Sequence, residues 1–174
     1  MESPPDRDGV DTARVLVLGI GNPLRRDDGI GLHVVRRLRE EGLPPGIGLA
    51  ELSGGWTALL DRLGECDRLI VVDAADIGLP AGSVVELDPA AIGSGARSSL
   101  AGGHFLDLGE TLALAETVGL PRPSSVRVVG IQVADTSTFS EECSPPVAAA
   151  IGEACTRVRS LLEEGDRAPR AVPW

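Results

Sequence analysis

Aromatic side chains are nearly missing from this sequence: two Trp, two Phe and no Tyr occur in 174 residues. A core cannot be built around packed rings, so Val, Leu, Ile and Ala must supply it. Those types account for most of the 43% hydrophobic content. Basic charge is also short. Sixteen Lys and Arg against 26 Asp and Glu leave a formal net charge of −10, which argues against a nucleic-acid phosphate partner, since such proteins gather basic patches. No run is long and apolar enough to span a bilayer. Residues 1–14 carry Pro4, Pro5 and three Asp and lack the basic-then-apolar layout of a signal peptide, so a cytoplasmic location is expected. Cysteine is scarce. Cys66, Cys143 and Cys155 are odd in number, widely spaced and form no C-x-x-C pair, which suggests neither a thiolate zinc site nor a disulfide framework.

Several catalytic signatures are absent as well. No Gly-x-Ser-x-Gly occurs, so a nucleophile elbow is excluded. No Gly-Lys-Ser/Thr loop is present. Gly19 and Gly21 begin a dinucleotide fingerprint, but the third glycine would fall at position 24, where Leu24 stands after Pro23. A Cys–His pair could be drawn with His104, yet none of the three cysteines has a recognisable context.

What remains is an alternation of strand and helix patterns. Strands are expected over 14–18, 47–52, 68–73, 83–87 and 125–133. Helices are expected over 28–41, 56–63, 106–118 and from Ser144-Pro145-Pro146 to about Glu164. Leu69-Ile70-Val71-Val72 is a continuous apolar run, which fits a strand buried on both faces of a parallel sheet. The connection before 83–87 is short for a helical crossover, so that strand is expected to be antiparallel and at an edge. Proline at the start of the last helix is well placed, because the first turn needs no N–H from it. The fold class expected is α/β, a three-layer α/β/α sandwich with a mostly parallel, about five-stranded twisted sheet of the phosphorylase/hydrolase-like kind. A length of 174 residues suits one domain over 14–164, with a flexible leader over 1–13 and a flexible tail over 165–174.

Three residues stand out for chemistry. Asp28 follows the first strand at the mouth of a helix, where the helix dipole favours an acid. It can be a cap, or a carboxylate placed where open α/β sheets bind ligands. Asp73 ends the third strand, a position also common for simple turn residues. His104 follows Ala101-Gly102-Gly103 in a loop that opens a helix. His33, within the first helix beside Arg36 and Arg37, reads as a solvated helix residue. If the first and third strands are parallel neighbours, Asp28 and Asp73 share one sheet edge and His104 can fold in. Two carboxylates and an imidazole suit a borderline divalent metal such as nickel or zinc, with coordination positions left open for a substrate.

The stretch Gly19-Ile20-Gly21-Asn22-Pro23-Leu24-x-x-Asp27-Asp28-Gly29-Ile30-Gly31 resembles the opening signature of the hydrogenase maturation proteases. The likeness continues through Gly54-Gly55, Val71-Val72-Asp73-Ala74, His104-x-x-x-Leu108-x-x-x-Leu112, Val129-Gly130-Ile131-Gln132 and Ser144-Pro145-x-Val147, covering about residues 14–162. The resemblance implies an endopeptidase that trims the C-terminus of a nickel–iron hydrogenase large-subunit precursor. It implies that Asp28, Asp73 and His104 bind nickel and serve catalysis, with Asp27 left to cap the helix. The nickel would be supplied by the precursor and not permanently bound, and the protein would be a monomer. Ligation by these three residues alone is incomplete, so binding would require substrate groups to finish the shell, which gates cleavage on metal loading. Two hydrolytic routes are open, attack by water on a metal-polarised carbonyl and carboxylate-assisted attack by water. Departures occur at Ser53, where relatives often carry an acid, at Cys143, where Leu is frequent, and in the polar 134–143 loop. All three bear on the docking surface. Two other readings stand beside this one. One is a non-catalytic nickel-binding module of hydrogenase assembly. The other is a peptidyl-tRNA hydrolase-like esterase, whose chains also open on Gly-x-Gly-Asn-Pro; the acidic pair and the negative charge disfavour it.

Overall fold

The computed structural model describes residues 15–53, 56–87, 89 and 108–165. Strand β1 (Val15–Ile20) leads through a 3-10 turn (Arg26–Gly29) into helix α1 (Ile30–Glu41). Strand β2 (Ile47–Leu52), two 3-10 turns (Trp56–Leu59 and Leu63–Glu65), and strands β3 (Arg68–Ala75) and β4 (Val84–Leu87) follow. Helix α2 (Leu108–Thr117), strand β5 (Ser125–Gln132), short helix α3 (Pro145–Ala149) and helix α4 (Ile151–Glu164) complete the described chain. Among these residues no helix is long and apolar enough to cross a membrane.

The five strands form one sheet in the order β2-β1-β3-β5-β4. All pairings are parallel except β4 with β5, which is antiparallel and puts β4 at the edge. Alternation along each strand splits the core in two. Val15 and Val17 of β1, Ile70, Val72 and Ala74 of β3, and Val129 and Ile131 of β5 pack with Val34, Val35 and Leu38 of α1 and Ala154, Val158 and Leu161 of α4. Leu16 and Leu18, Leu69 and Val71, and Val128 pack on the other face with Leu59, Leu63, Leu108 and Ala115. Aliphatic side chains thus fill both inter-layer spaces of a three-layer α/β/α arrangement.

Some boundaries differ from expectation. The apolar spacing of Leu59, Leu60 and Leu63 suggests a helix, but the chain makes two 3-10 turns there. Leu59 and Leu63 are buried all the same. The last helix pauses at Ala150, whose ψ of −11° separates α3 from α4. Strand β3 runs past Asp73 to Ala75, because β5 continues to pair with it as far as Ala75 opposite Gln132.

Candidate active site

The pairing of β1 with β3 stops at Gly19 opposite Val72. Beyond that point β3 keeps β5 as a neighbour and loses β1. The chain leaves β1 toward β2 on one side of the sheet, while β3 and β5 lie on the other. This is the switch point of an open α/β sheet, where a crevice forms outside the carboxyl ends of the strands. Asp73 is the first β3 residue past the last β1 pair. It lies opposite Gly130 of β5, and strand alternation places it on the α2 side of the sheet.

The 3-10 turn with Asp28 is seated in this crevice by two close backbone approaches. Gly21 has φ +152°, and a Cβ there would lie 1.9 Å from the carbonyl oxygen of Asp28. Gly31, at the start of α1, would place a Cβ 2.3 Å from Val72 O and 2.4 Å from Ile20 O. Only glycine admits such contact, so the turn and α1 press directly on the ends of β1 and β3.

Asp28 and Asp73 are both buried, at 1% and 2% exposure. Asp73 Oδ1 accepts a hydrogen bond from Ala74 N at 2.8 Å, whereas Asp73 Oδ2 is buried with no hydrogen-bond partner among the described residues. Burial raises the Asp73 carboxyl well above the ordinary Asp range; the Ala74 N–H opposes this and the nearby Asp28 adds to it. Two buried acids that sense each other's charge, one with an unused oxygen, fit a site awaiting a proton or a cation. His104 lies outside the described residues, as do Gly54 and Gly55. The structure therefore brings two of the three expected site residues together. Among the described residues no group of three or more His, Cys, Asp or Glu is arranged to hold a metal ion.

Contrary to expectation, Asp27 does not cap the helix, because its carboxylate is engaged elsewhere. Neither the 3-10 turn nor α1 receives a side-chain cap bond. The Asp27 carboxylate instead accepts Ser144 N at Oδ1 (2.6 Å), and Ser144 Oγ (2.8 Å), Ala134 N (2.9 Å) and Asp135 N (2.9 Å) at Oδ2. It is fully buried. Burial pushes its pKa up, but the donors from Ser144, Asp135 and Ala134 outweigh this and hold it below the ordinary value. One carboxylate thus fastens both ends of the 134–144 loop to the turn that carries Asp28. The same loop is tied at Arg26, whose N–H meets Ser140 O at 2.8 Å while its own φ is +46°. His33 is half-buried and its Nε2 lies 3.1 Å from Glu141 O, so it is a loop contact and not merely a solvated helix residue. No local sequence pattern announces these roles, because the partners are more than 100 positions away.

Cys66 and Cys155 are buried. Burial raises the Cys143 thiol to about 11, reinforced by Asp27 and opposed by Arg26, so it is a poor nucleophile. A cavity of about 360 Å³ lies at the opposite end of the sheet, lined by Val15, Pro45, Ile47, Arg68 and Ser124. It contains none of the acids described above.

A family model described as hydrogenase maturation protease matches residues 32–161. The hydrogenase expression/formation protein HupD of Rhodobacter capsulatus is 34% identical over 155 residues, covering 84% of this chain and 72% of the relative. HupM of Azotobacter chroococcum is 35% identical over 154 residues, covering 86% and 72%. The fold is similar to that of the hydrogenase maturating endopeptidase HybD from Escherichia coli, with a TM-score of 0.72, 28% identity, and coverage of 88% of this chain and 94% of that one. The sequence signature, the five-stranded sheet and these matches agree, and the chain belongs to the hydrogenase maturation protease family.

Proposed function

We propose that the protein is the endopeptidase that removes a C-terminal peptide from the nickel-loaded precursor of a nickel–iron hydrogenase large subunit. Asp28, Asp73 and His104 would be the residues that meet the metal and assist cleavage. The observation that carries this reading is the pair of buried acids at the sheet's switch point, with Asp73 Oδ2 left unpaired among the described residues. The nickel is substrate-borne in this reading. Asp28 and Asp73 are hard oxygen donors and His104 a borderline nitrogen donor, a set compatible with nickel. A bound divalent ion would offset the mutual repulsion of the two carboxylates and polarise a nearby carbonyl. The chain's own part is to hold both acids dry and fixed, through Gly21, Gly31 and the Ala74 N–H, so that little reorganisation is needed when the precursor tail arrives. Either carboxylate can take a proton from an attacking water.

The test is direct. The protein is mixed with a nickel-loaded large-subunit precursor and the mass of the large subunit is read. Loss of a short C-terminal peptide is expected, abolished by Asp28→Ala, Asp73→Ala or His104→Ala. An unchanged mass with every precursor of the source organism overturns the protease reading. Equal cleavage of nickel-free precursor overturns recognition through the metal.

A further inference from the structure

Three loops leave the carboxyl ends of β1, β3 and β5, and buried polar side chains hold each one in place. Asp27 fixes the loops after β1 and β5. Gln132 Oε1 accepts Ile77 N at 2.9 Å and Leu79 N at 3.2 Å, which fixes the loop after β3. Each of these ordered loops lifts one large apolar side chain into solvent: Leu24 at 40%, Leu79 at 40% and Phe139 at 79% exposure. They are three of the six exposed large apolar side chains among the described residues; the others are Leu114, Val118 and Leu120, on and after α2.

Leu24 and Phe139 belong to one built unit. Ser140 N donates to Leu24 O at 3.1 Å and Arg26 N donates to Ser140 O at 2.8 Å, so the two segments are joined as a short parallel bridge. On the other side of Phe139, Asp135 Oδ1 accepts Ser137 N at 2.9 Å and Thr138 N at 3.0 Å, and Arg25 Nε donates to Thr136 O at 3.0 Å. The backbone on both sides of the ring is thus already ordered. In a chain with only two Phe, one is held out in water on a loop anchored to the residue beside Asp28. Exposed Arg25 and, beyond Ser140, exposed Glu141 and Glu142 give this apolar centre a polar rim. A preordered aromatic within a polar rim is the usual build of an interface anchor, because little side-chain or loop entropy is lost on binding.

We propose that Leu24 and Phe139 are the docking anchors for the protein substrate, inserting into an apolar pocket on the folded body of the precursor while its tail enters the Asp28–Asp73 crevice. This rests on the proposed function: Leu24 lies in the same loop as Asp28, whose N–H donates to Arg25 O at 3.0 Å, so a protein whose tail reaches Asp28 meets the segment that carries Leu24. The experiment uses the full chain, the double variant Leu24→Ser/Phe139→Ser, and Leu114→Ser as an exposed control on α2. The probe is the nickel-loaded large-subunit precursor from the same organism. Binding to the precursor and cleavage of it are both recorded, after thermal melts verify that all three proteins are folded.

The double variant is expected to show a KM raised about ten-fold or more, the scale of losing a pair of interface anchors. Its kcat should be unchanged, its binding correspondingly weaker, and Leu114→Ser should match wild type. Wild-type KM and binding in the double variant, with cleavage intact, overturn the docking proposal and leave the protease reading standing. A loss confined to kcat also overturns docking. Wild-type binding that the double variant loses, with no cleavage by either protein, supports docking and overturns the protease reading. Failure of wild type both to bind and to cleave overturns the two together.

Discussion

Asp27 and Ser144 are joined twice: the Ser144 N–H meets Asp27 Oδ1 at 2.6 Å and the Ser144 hydroxyl meets Oδ2 at 2.8 Å. This link couples the turn after β1 to the loop after β5, although the two residues are 117 positions apart. It fixes the start of α3 and, through Asp28 next door, one side of the candidate site. A carboxylate is needed because only a charged acceptor-only group satisfies four donors at once.

Asp27→Ala is expected to leave the Ala134, Asp135 and Ser144 N–H groups without their acceptor. Stability should fall by about 2–4 kcal/mol, the scale for a buried network left unsatisfied, as read by urea unfolding. The folded pKa of Asp27 is depressed, so its contribution is complete above the ordinary Asp value near about 3.9 and is lost as pH falls through the folded value. The difference between wild type and variant should therefore narrow on acidification. A difference that stays constant down to strongly acid pH would show that the carboxylate charge does not hold the loop.

Gly31→Ala tests the seating of the site. Its Cβ would meet Val72 O and Ile20 O at 2.3 and 2.4 Å, both backbone atoms that cannot swing aside. The start of α1 must lift from the sheet, carrying Asp28 away from Asp73. We expect a loss of about 3 kcal/mol, as for severe overpacking, together with loss of precursor cleavage. An alanine variant with wild-type melting temperature would show that the close approach is not required.

Much of this organisation was legible in the sequence, and the reasons are local. The run Leu69–Val72 marked a doubly buried strand because no polar residue interrupts it, and β3 has neighbours on both sides. The short link into Val84–Leu87 marked an antiparallel edge strand because a parallel return needs a longer crossover. Asp28 and Asp73 could be placed together on the condition that the first and third strands are parallel neighbours, which the β1–β3 pairing meets, and the family signature singled out the same two residues. Asp27 could not: its four donors lie beyond β5, and nothing near it in sequence distinguishes it from a helix cap. The turns over 56–65 escaped for another reason. Leu59 and Leu63 must be buried in either conformation, so apolar spacing does not discriminate between a helix and two 3-10 turns.

The pair Glu86–Arg127 was equally invisible, since its partners sit on β4 and β5 and meet only through the antiparallel register. Arg127 is 3% and Glu86 5% exposed in the side chain, and Arg157 of α4 also donates to Glu86. Glu86→Ala would leave Arg127 in the interior without its closest acid. Arg127 keeps Glu164 at 3.4 Å, so the expected loss is about 2–3 kcal/mol, below the full cost of an unpaired buried charge. Burial alone would raise the Glu86 pKa, but Arg127 and Arg157 hold it below the ordinary range. The stabilisation is therefore present above about pH 4.3 and is lost as pH falls through the folded value. Urea midpoints across pH 3–7 should converge for wild type and Glu86→Ala at the acid end; parallel curves would exclude the pair as an acid-sensitive tie.

Asp73→Asn separates stability from activity. The amide keeps an oxygen for the Ala74 N–H, which Asp73 Oδ1 accepts at 2.8 Å, and it removes a charge that is buried beside Asp28 and raised well above its ordinary pKa. A group with a raised folded pKa costs stability once pH exceeds its unfolded value, because the folded state disfavours the charged form. At neutral pH the variant should therefore be as stable as wild type or more so, by up to about 1–2 kcal/mol, as is common when a strained functional charge is removed. Below the unfolded Asp range, near about pH 3.9, wild-type Asp73 is protonated in both states and this advantage should vanish. Cleavage of the nickel-loaded precursor should be lost at every pH, since the amide neither accepts a proton from water nor offsets a divalent charge. Thermal melts at pH 3.5 and 7 with a mass readout of cleavage decide the matter: a variant destabilised at pH 7 would mean that the Asp73 charge serves the fold, and one that still cleaves would remove it from the site.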